Sequence, residues 1–137
     1  MSTDRPSSSG SGRIQLHNRL WLQDGGTPMF GPGTYELLVR VSETGSLHRS
    51  AQQMAMSYSK AWRIVREAEQ HFGVLLLERH AGGAAGGGSV LTDDGRALVE
   101  RFGGLMNDVQ VALDVLFAKH FDDLPFVQGR GPAEPTA

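Results

Sequence analysis

The sequence predicts a mainly α-helical domain in which a helix-turn-helix is followed by a two-stranded hairpin and a long C-terminal helix. Three observations predict this order. Two serine-capped helical segments lie only about three residues apart, two short β-prone runs flank a glycine-rich stretch, and residues 92–121 repeat apolar side chains at heptad-like spacing. With a further strand expected near the N-terminus, the fold class is a winged helix-turn-helix, whose hairpin is called the wing.

Length and composition predict a single domain with tails. The chain has 137 residues, of which 39% are hydrophobic and 20% charged, enough for one core. We expect a disordered leader over 1–12, the domain over 13–121 and a flexible tail over 122–137. The absence of cysteine excludes disulfides, thiolate metal sites and cysteine nucleophiles. The N-terminus lacks the apolar core of a secretory signal, and the longest apolar run, residues 74–77, is too short for a bilayer, so we expect a cytoplasmic protein.

Alternation and turn chemistry predict the elements of the N-terminal part. Apolar residues alternate over 13–23, which predicts a half-buried strand, whereas residues 24–33 are turn-forming throughout. Thr34 is the predicted N-cap of the first helix, and Gly45 ends it.

Two further helices follow, with little chain between them. Ser46 is the predicted N-cap of the second helix, Ser57 caps the third, and Gly73 ends the third. The third helix repeats apolar residues at helical spacing, which predicts its buried face: Ala61, Val65, Ala68 and Phe72. The short connection predicts a sharp turn between the second and third helices.

The stretch "HAGGAAGGGSV", residues 80–90, is compatible with a phosphate cradle, a linker or a hairpin tip. A Walker loop would need lysine where Ser89 stands, and the dinucleotide fingerprint would need glycine where Leu91 stands. A linker is disfavoured because little ordered sequence follows. The third use is favoured: a wing whose bare backbone lies close to nucleic-acid phosphates, although a plain surface loop remains an alternative.

The last helix is predicted to begin after Thr92 and to carry an apolar seam. The residues of the seam are Leu98, Phe102, Leu105, Val109, Ala112 and Leu116. Such a seam predicts a homodimer through this helix. The alternative is a helix that folds back over its own domain and buries the same residues in a monomer.

The order of four motifs resembles that in a known family. The segments MSYSKAW and LLER, the glycine-rich wing and the following LTxxG resemble the N-terminal DNA-binding domain of ModE-type molybdate-responsive transcriptional regulators. More distantly, they resemble the LysR-type DNA-binding domain. The resemblance spans roughly residues 14–120. It implies a dimeric transcription factor whose third helix enters the major groove of double-stranded DNA and whose wings contact the flanking backbone.

The resemblance also raises molybdate as a possible ligand. Two-domain ModE proteins hold molybdate in a C-terminal domain marked by a Ser-Ala-Arg-Asn stretch, which this chain lacks. We therefore expect no separate molybdate-binding domain and no cofactor bound directly by this chain.

The candidate DNA contacts lie mainly on the exposed face of the third helix. Arg63 and Arg66 are the best base or phosphate contacts, because a guanidinium can donate to guanine O6 and N7 together. Lys60 is a phosphate candidate, and Trp62 is left open between core packing and DNA contact. The complete predicted set is Ser57, Tyr58, Ser59, Lys60, Trp62, Arg63 and Arg66 on the third helix, His48 and Arg49 on the second, and Arg79, His80, Gly86 and Gly87 on the wing.

Other classes of function have weaker support in the sequence. The five histidines show no metal-ligand spacing, so no metal site is expected, and no catalytic constellation indicates an enzyme. A formal net charge of −2 is neutral enough that DNA binding would depend on local positive charge. The alternatives to a DNA-binding regulator are an oxyanion-binding protein, for molybdate or tungstate, and a dimerisation module.

Overall fold

In the computed structural model, the described residues are 14–80 and 88–127, and they form four helices and four strands. In chain order these are β1 (Leu22–Asp24), β2 (Thr27–Phe30), α1 (Pro32–Thr44), α2 (Leu47–Gln53), α3 (Tyr58–Phe72), β3 (Leu77–His80), β4 (Gly88–Leu91) and α4 (Asp93–Phe121). The strands make two antiparallel pairs, β1 with β2 and β3 with β4. The predicted fold class, a mainly helical winged helix-turn-helix, is confirmed.

The N-terminal strand is shorter than predicted, and the predicted turn segment contains a second strand. The prediction of a strand over 13–23 holds only for β1, and β2 lies inside the segment 24–33. Gly25 and Gly26 both have positive φ angles, +59° and +86°, which make the tight turn of a β-hairpin. The two glycines therefore form the turn of a β-hairpin within the segment that the sequence predicts to be turn-forming throughout.

Helix α1 begins three residues earlier than predicted. Its N-cap is Gly31, with Pro32 in the first helical position, and Thr34 lies inside the helix. Proline is favoured there because its φ angle suits a helix and its missing N–H would have no intrahelical partner. The predicted end is confirmed, since Gly45 adopts the left-handed conformation and its N–H donates to the Val41 carbonyl.

The helix-turn-helix has the predicted caps. The Ser46 hydroxyl accepts the Arg49 N–H at 3.0 Å, and the Ser57 hydroxyl accepts the Lys60 N–H at 3.0 Å. Between the two helices, Ala55 has a φ angle of +57°, which reverses the chain within four residues. The turn therefore brings the start of α3 close to α2.

The core of the unit Arg19–Met106 is formed by one face of each of the first three helices together with strand and α4 residues. The predicted face of α3 is confirmed: Ala61, Val65 and Ala68 are buried and Phe72 is half-buried against them. The Phe30 ring packs edge-on against Phe72 and against Phe102, with ring centroids 6.0 and 5.0 Å apart.

The predicted seam of α4 is divided between core and surface. Phe102 is only 3% exposed and Leu98 is half-buried, so both pack into the core of their own chain. Leu105 and Leu116 are 44% and 46% exposed, Ala112 is also exposed, and Val109 is half-buried. The first turns of α4 carry the same heptad spacing because they pack on their own domain, and the prediction of a dimer rests on the later positions.

The second compact unit consists, in its described part, of residues 14–18 and 107–127. Gln110 connects its two segments by donating to the Leu16 carbonyl and accepting from the Asn18 side chain, both at 3.2 Å. Residues 122–127, predicted as the beginning of a tail, form turns in which Val127 is buried. The predicted leader over 1–12 and the rest of the predicted tail lie outside the described residues. Within the described ranges, no helix combines the length and apolar character needed to cross a bilayer.

Candidate nucleic-acid interface

The outward face of α3 carries most of the candidate DNA contacts. Ser57 and the side chains at the start of the helix are exposed, and so are Arg63 and Arg66 one and two turns later. This follows from the buried stripe, because a helix that turns Ala61, Val65 and Ala68 inward must present the opposite positions to solvent. The structure thus brings together the predicted set on α3: Ser57, Tyr58, Ser59, Lys60, Trp62, Arg63 and Arg66.

Five side chains from α2, α3 and β3 form what we call the aromatic–arginine cluster: His48, Tyr58, Trp62, Arg66 and Arg79. The Tyr58 ring lies between His48 and Trp62, with centroid distances of 5.4 and 6.4 Å. The guanidinium carbons of Arg79 and Arg66 lie 4.8 and 5.5 Å from the Trp62 ring centroid. These are cation–π distances, so the arginines are oriented by an aromatic side chain.

Trp62 packs in the interior of this cluster. It is half-buried against the core, and its indole N–H is buried with no acceptor among the described residues. In the free protein, Trp62 therefore packs against the core, which is one of the two roles that the sequence leaves open for it. Its contact with DNA stays a prediction.

Arg79 is engaged with α3. Its Nη2 donates to the Tyr58 hydroxyl at 2.8 Å, so this arginine at the base of the wing is hydrogen-bonded to the start of the helix. Partial burial raises the pKa of the Tyr58 hydroxyl, whereas the hydrogen bond from Arg79 and the positive charge of Arg79 lower it. The pKa of Tyr58 consequently lies below its ordinary value of 10.0.

Other predicted cations differ from Arg79, which is hydrogen-bonded to Tyr58. Within the described ranges, the side chains of Arg49, Lys60 and Arg63 make no hydrogen bond or ion pair with another residue, and all three are exposed. His80, the last residue of β3, is also exposed. These cations are therefore available to an anionic partner without breaking an internal contact.

The wing strands are held to the helical part by contacts that the sequence interpretation missed. Glu69, only 7% exposed, accepts the N–H groups of Leu76 and Leu77 through one carboxylate oxygen, at 2.8 and 3.2 Å. On the other strand, the Ser89 N–H donates to the Gly45 carbonyl at 2.9 Å. The feature of the sequence that could have identified Glu69 is the position of an acidic residue beside the buried face of α3. Gly86 and Gly87, predicted to approach DNA, lie outside the described residues.

The cap of α4 is also confirmed, and it joins the end of the wing to the preceding turn. The Thr92 hydroxyl accepts the Gly95 N–H at 2.9 Å and donates to the Leu75 carbonyl at 2.7 Å. Arg96 donates to the Leu91 carbonyl and forms an ion pair with Asp93. The start of β3 and both ends of β4 are therefore anchored by hydrogen bonds outside the hairpin.

Comparisons with known proteins agree with this geometry. Residues 33–96 match the family described as bacterial regulatory helix-turn-helix protein, lysR family. The chain is 36% identical over 85 residues to the DNA-binding transcriptional dual regulator ModE of Escherichia coli (strain K12), covering 62% of this chain and 32% of that protein. It is 34% identical over 97 residues to the molybdenum-pterin-binding protein MopA of Rhodobacter capsulatus, covering 71% of this chain and 37% of that protein.

Among solved structures, a LysR family transcriptional regulator aligns with a TM-score of 0.49 and 24% identity, over 64% of this chain and 28% of that one. The chain spans about a third of the length of the curated relatives it matches.

The fold and the family match point to one class of domain, since residues 33–96 are similar to the bacterial regulatory helix-turn-helix family described as lysR. The chain is similar to ModE and MopA proteins, and the predicted resemblance to the ModE-type N-terminal domain is confirmed.

Proposed function

We propose that this chain is a DNA-binding transcriptional regulator that recognises a specific duplex sequence with α3 in the major groove and the β3–β4 wing along the flanking backbone. The observation that carries the proposal is the exposed face of α3, the second helix of the helix-turn-helix. This face presents Lys60 and Arg63, whose side chains have no ion pair among the described residues, beside the aromatic–arginine cluster. The names of the relatives, among them a DNA-binding transcriptional dual regulator, support it.

We propose different roles for the individual cations. Arg63 lies one turn into α3 and is free to donate two hydrogen bonds to a guanine edge, which carries sequence information. Lys60, at the start of the helix, is suited to a phosphate, as are Arg49 and His48 on α2. Arg66 is already oriented by Trp62 and can reach a base or a phosphate from a fixed position.

We also propose that the regulator acts as a homodimer through α4. Leu105 supplies one exposed apolar side chain, and the stretch 107–121 adds others, among them Val111, Ala112, Val115 and Leu116. A dimer would place two copies of α3 on successive major grooves, so we expect an inverted-repeat binding site with half-sites roughly 34–36 Å apart.

The test begins with duplexes selected from a random library by the purified protein. Their affinity is then measured by fluorescence anisotropy at several salt concentrations. Arg63→Ala should weaken binding to the selected duplex by about 1–3 kcal/mol while leaving random DNA nearly unaffected. Arg101→Ala, which removes an equal charge from an exposed position on α4, is the matched control. Failure to enrich any sequence, or equal effects of the two substitutions, would contradict the proposal.

Oxyanion binding is the second candidate, favoured by the similarity to the molybdenum-pterin-binding protein MopA. Isothermal titration with molybdate tests it directly. Heat at micromolar molybdate would support this second function, and no heat up to millimolar molybdate would remove it.

A further inference from the structure

The Tyr58 side chain has an unusual position for a residue at the start of a recognition helix. The sequence predicts this tyrosine as one of the DNA contacts. Instead, its hydroxyl accepts a hydrogen bond from Arg79, and its ring lies between His48 and Trp62. The side chain is 38% exposed, so much of its surface is already used inside the protein.

Arg79 is in turn one of the residues that connect β3 with α3, another being Glu69, which accepts the N–H of Leu77 at the start of β3. Its guanidinium contacts both the Tyr58 hydroxyl, at 2.8 Å, and the face of the Trp62 ring, at 4.8 Å. These two contacts use the planar fork and the flat face of the guanidinium, which a lysine could not reproduce. Beyond the backbone anchors at Leu77 and Ser89, Arg79 therefore adds a side-chain connection between β3 and the start of α3.

We propose that Tyr58 is a positioning residue that fixes the wing relative to the recognition helix by holding Arg79, rather than a residue that reads bases. The inference rests on the proposed DNA-binding function and assigns a role within that same site. Tyr58 acts through Arg79, and Arg79 is shared between positioning β3 and carrying positive charge near the DNA. The geometry thereby modifies the expectation that Arg79 is simply a phosphate contact.

The first test compares Tyr58→Phe with the wild type on two duplexes. One is the full selected duplex, and the other is shortened so that the flanks contacted by the wing are absent. Phenylalanine keeps the ring contacts with His48 and Trp62 but removes the acceptor for Arg79. We expect binding to the full duplex to weaken by about two- to tenfold, the effect of one lost hydrogen bond. Binding to the short duplex should be unchanged.

Methylation protection of guanines by the bound protein separates positioning from base reading. In Tyr58→Phe the protected guanines in the major groove should be those protected by the wild type, whereas hydroxyl-radical protection of the flanks should decrease. An equal loss of affinity on both duplexes, or a change in the protected guanines, would show that Tyr58 reads bases and would overturn the inference. Unchanged binding to the full duplex would also overturn it.

A double-mutant cycle gives the second test. If Tyr58 acts through Arg79, adding Tyr58→Phe to Arg79→Ala should weaken binding no further than Arg79→Ala alone. Additive effects would mean that the residues act independently, against the inference. Tyr35→Phe, which changes the other tyrosine of the chain, is the matched control and should bind as the wild type does. If the wild type selects no duplex, the proposed function fails and this inference with it, whereas selective wild-type binding with additive variants overturns the inference alone.

Discussion

Gly88 lies against the carbonyl of Gly45 so closely that a β-carbon at position 88 would be 2.9 Å from the carbonyl oxygen. The same oxygen accepts the N–H of Ser89. The second strand of the wing therefore runs directly along the turn between α1 and α2, and only a residue without a side chain fits there.

We expect Gly88→Ala to lower the free energy of unfolding by about 1–3 kcal/mol, because backbone on both sides must move apart. Urea denaturation monitored by circular dichroism measures this. Gly33→Ala in α1, where a β-carbon would meet nothing within 4 Å, is the control and should not destabilise the protein. Equal stability of the two variants would contradict the close packing of wing and turn.

Glu69→Ala should destabilise the protein by about 1.5–3 kcal/mol, since the buried N–H groups of Leu76 and Leu77 would lose a charged acceptor. Glu69→Gln should cost less, because the amide oxygen can still accept both hydrogens. The neighbouring Glu67 is exposed, so Glu67→Ala controls for the loss of a carboxylate on α3. An effect of Glu69→Ala no larger than that of Glu67→Ala would disprove this role.

The adjacent glycines of α4 should respond in opposite ways to alanine. A β-carbon on Gly103 would lie 2.7 Å from the Tyr35 hydroxyl, whereas one on Gly104 would meet nothing within 4 Å. Gly104→Ala should therefore raise the free energy of unfolding by roughly 0.5–1 kcal/mol through helix propensity. Gly103→Ala should lower it, and adding Tyr35→Phe should recover part of the loss. Similar melting temperatures for both single variants would refute the predicted contact.

Leu105→Asp should shift the protein from dimer to monomer, because the charge would be buried in the proposed α4 interface. Sedimentation velocity at tens of micromolar protein measures the mass. Leu75 is 61% exposed in the turn before β3, and Leu75→Asp introduces the same charge there without affecting the mass. A wild type that sediments as a monomer, or an unchanged mass of Leu105→Asp, would count against the dimer.

The pKa of Tyr58 should rise in Arg79→Ala, because the guanidinium stabilises the phenolate. In the wild type, phenolate absorbance from Tyr58 should develop at a lower pH than in free tyrosine, and Arg79→Ala should move it upward. The Tyr35→Phe background leaves Tyr58 as the single tyrosine to be titrated. Identical titration curves with and without Arg79 would show that the two groups are not in contact in solution.

Much of the fold follows from local chemistry. The caps Ser46, Ser57 and Thr92 and the terminators Gly45 and Gly73 act on their own neighbours, so spacing along the chain locates them. The division of the α4 seam could not be predicted in this way. Heptad spacing specifies which residues share a face, but whether Phe102 meets Phe30 of its own chain or another copy depends on tertiary packing.

In the candidate site, too, some features follow from local sequence and others depend on tertiary packing. The outward face of α3 follows from its buried stripe, so the candidate contacts could be named from periodicity. The pairing of Arg79 with Tyr58 joins residues 21 positions apart and depends on how β3 leaves the domain. The partners of Glu69 could not be predicted either, because nothing in the sequence around an acidic residue on a helix indicates that it accepts N–H groups at a distant strand.

The position of Trp62 between two guanidiniums gives the protein an internal optical reporter. The chain has only one other tryptophan, Trp21, and Trp62 lies among the residues proposed to meet DNA. A Trp21→Phe variant would have a single indole, whose emission depends on the positions of Arg66 and Arg79 around it. Binding kinetics could then be followed by fluorescence without attaching a dye to either the protein or the duplex.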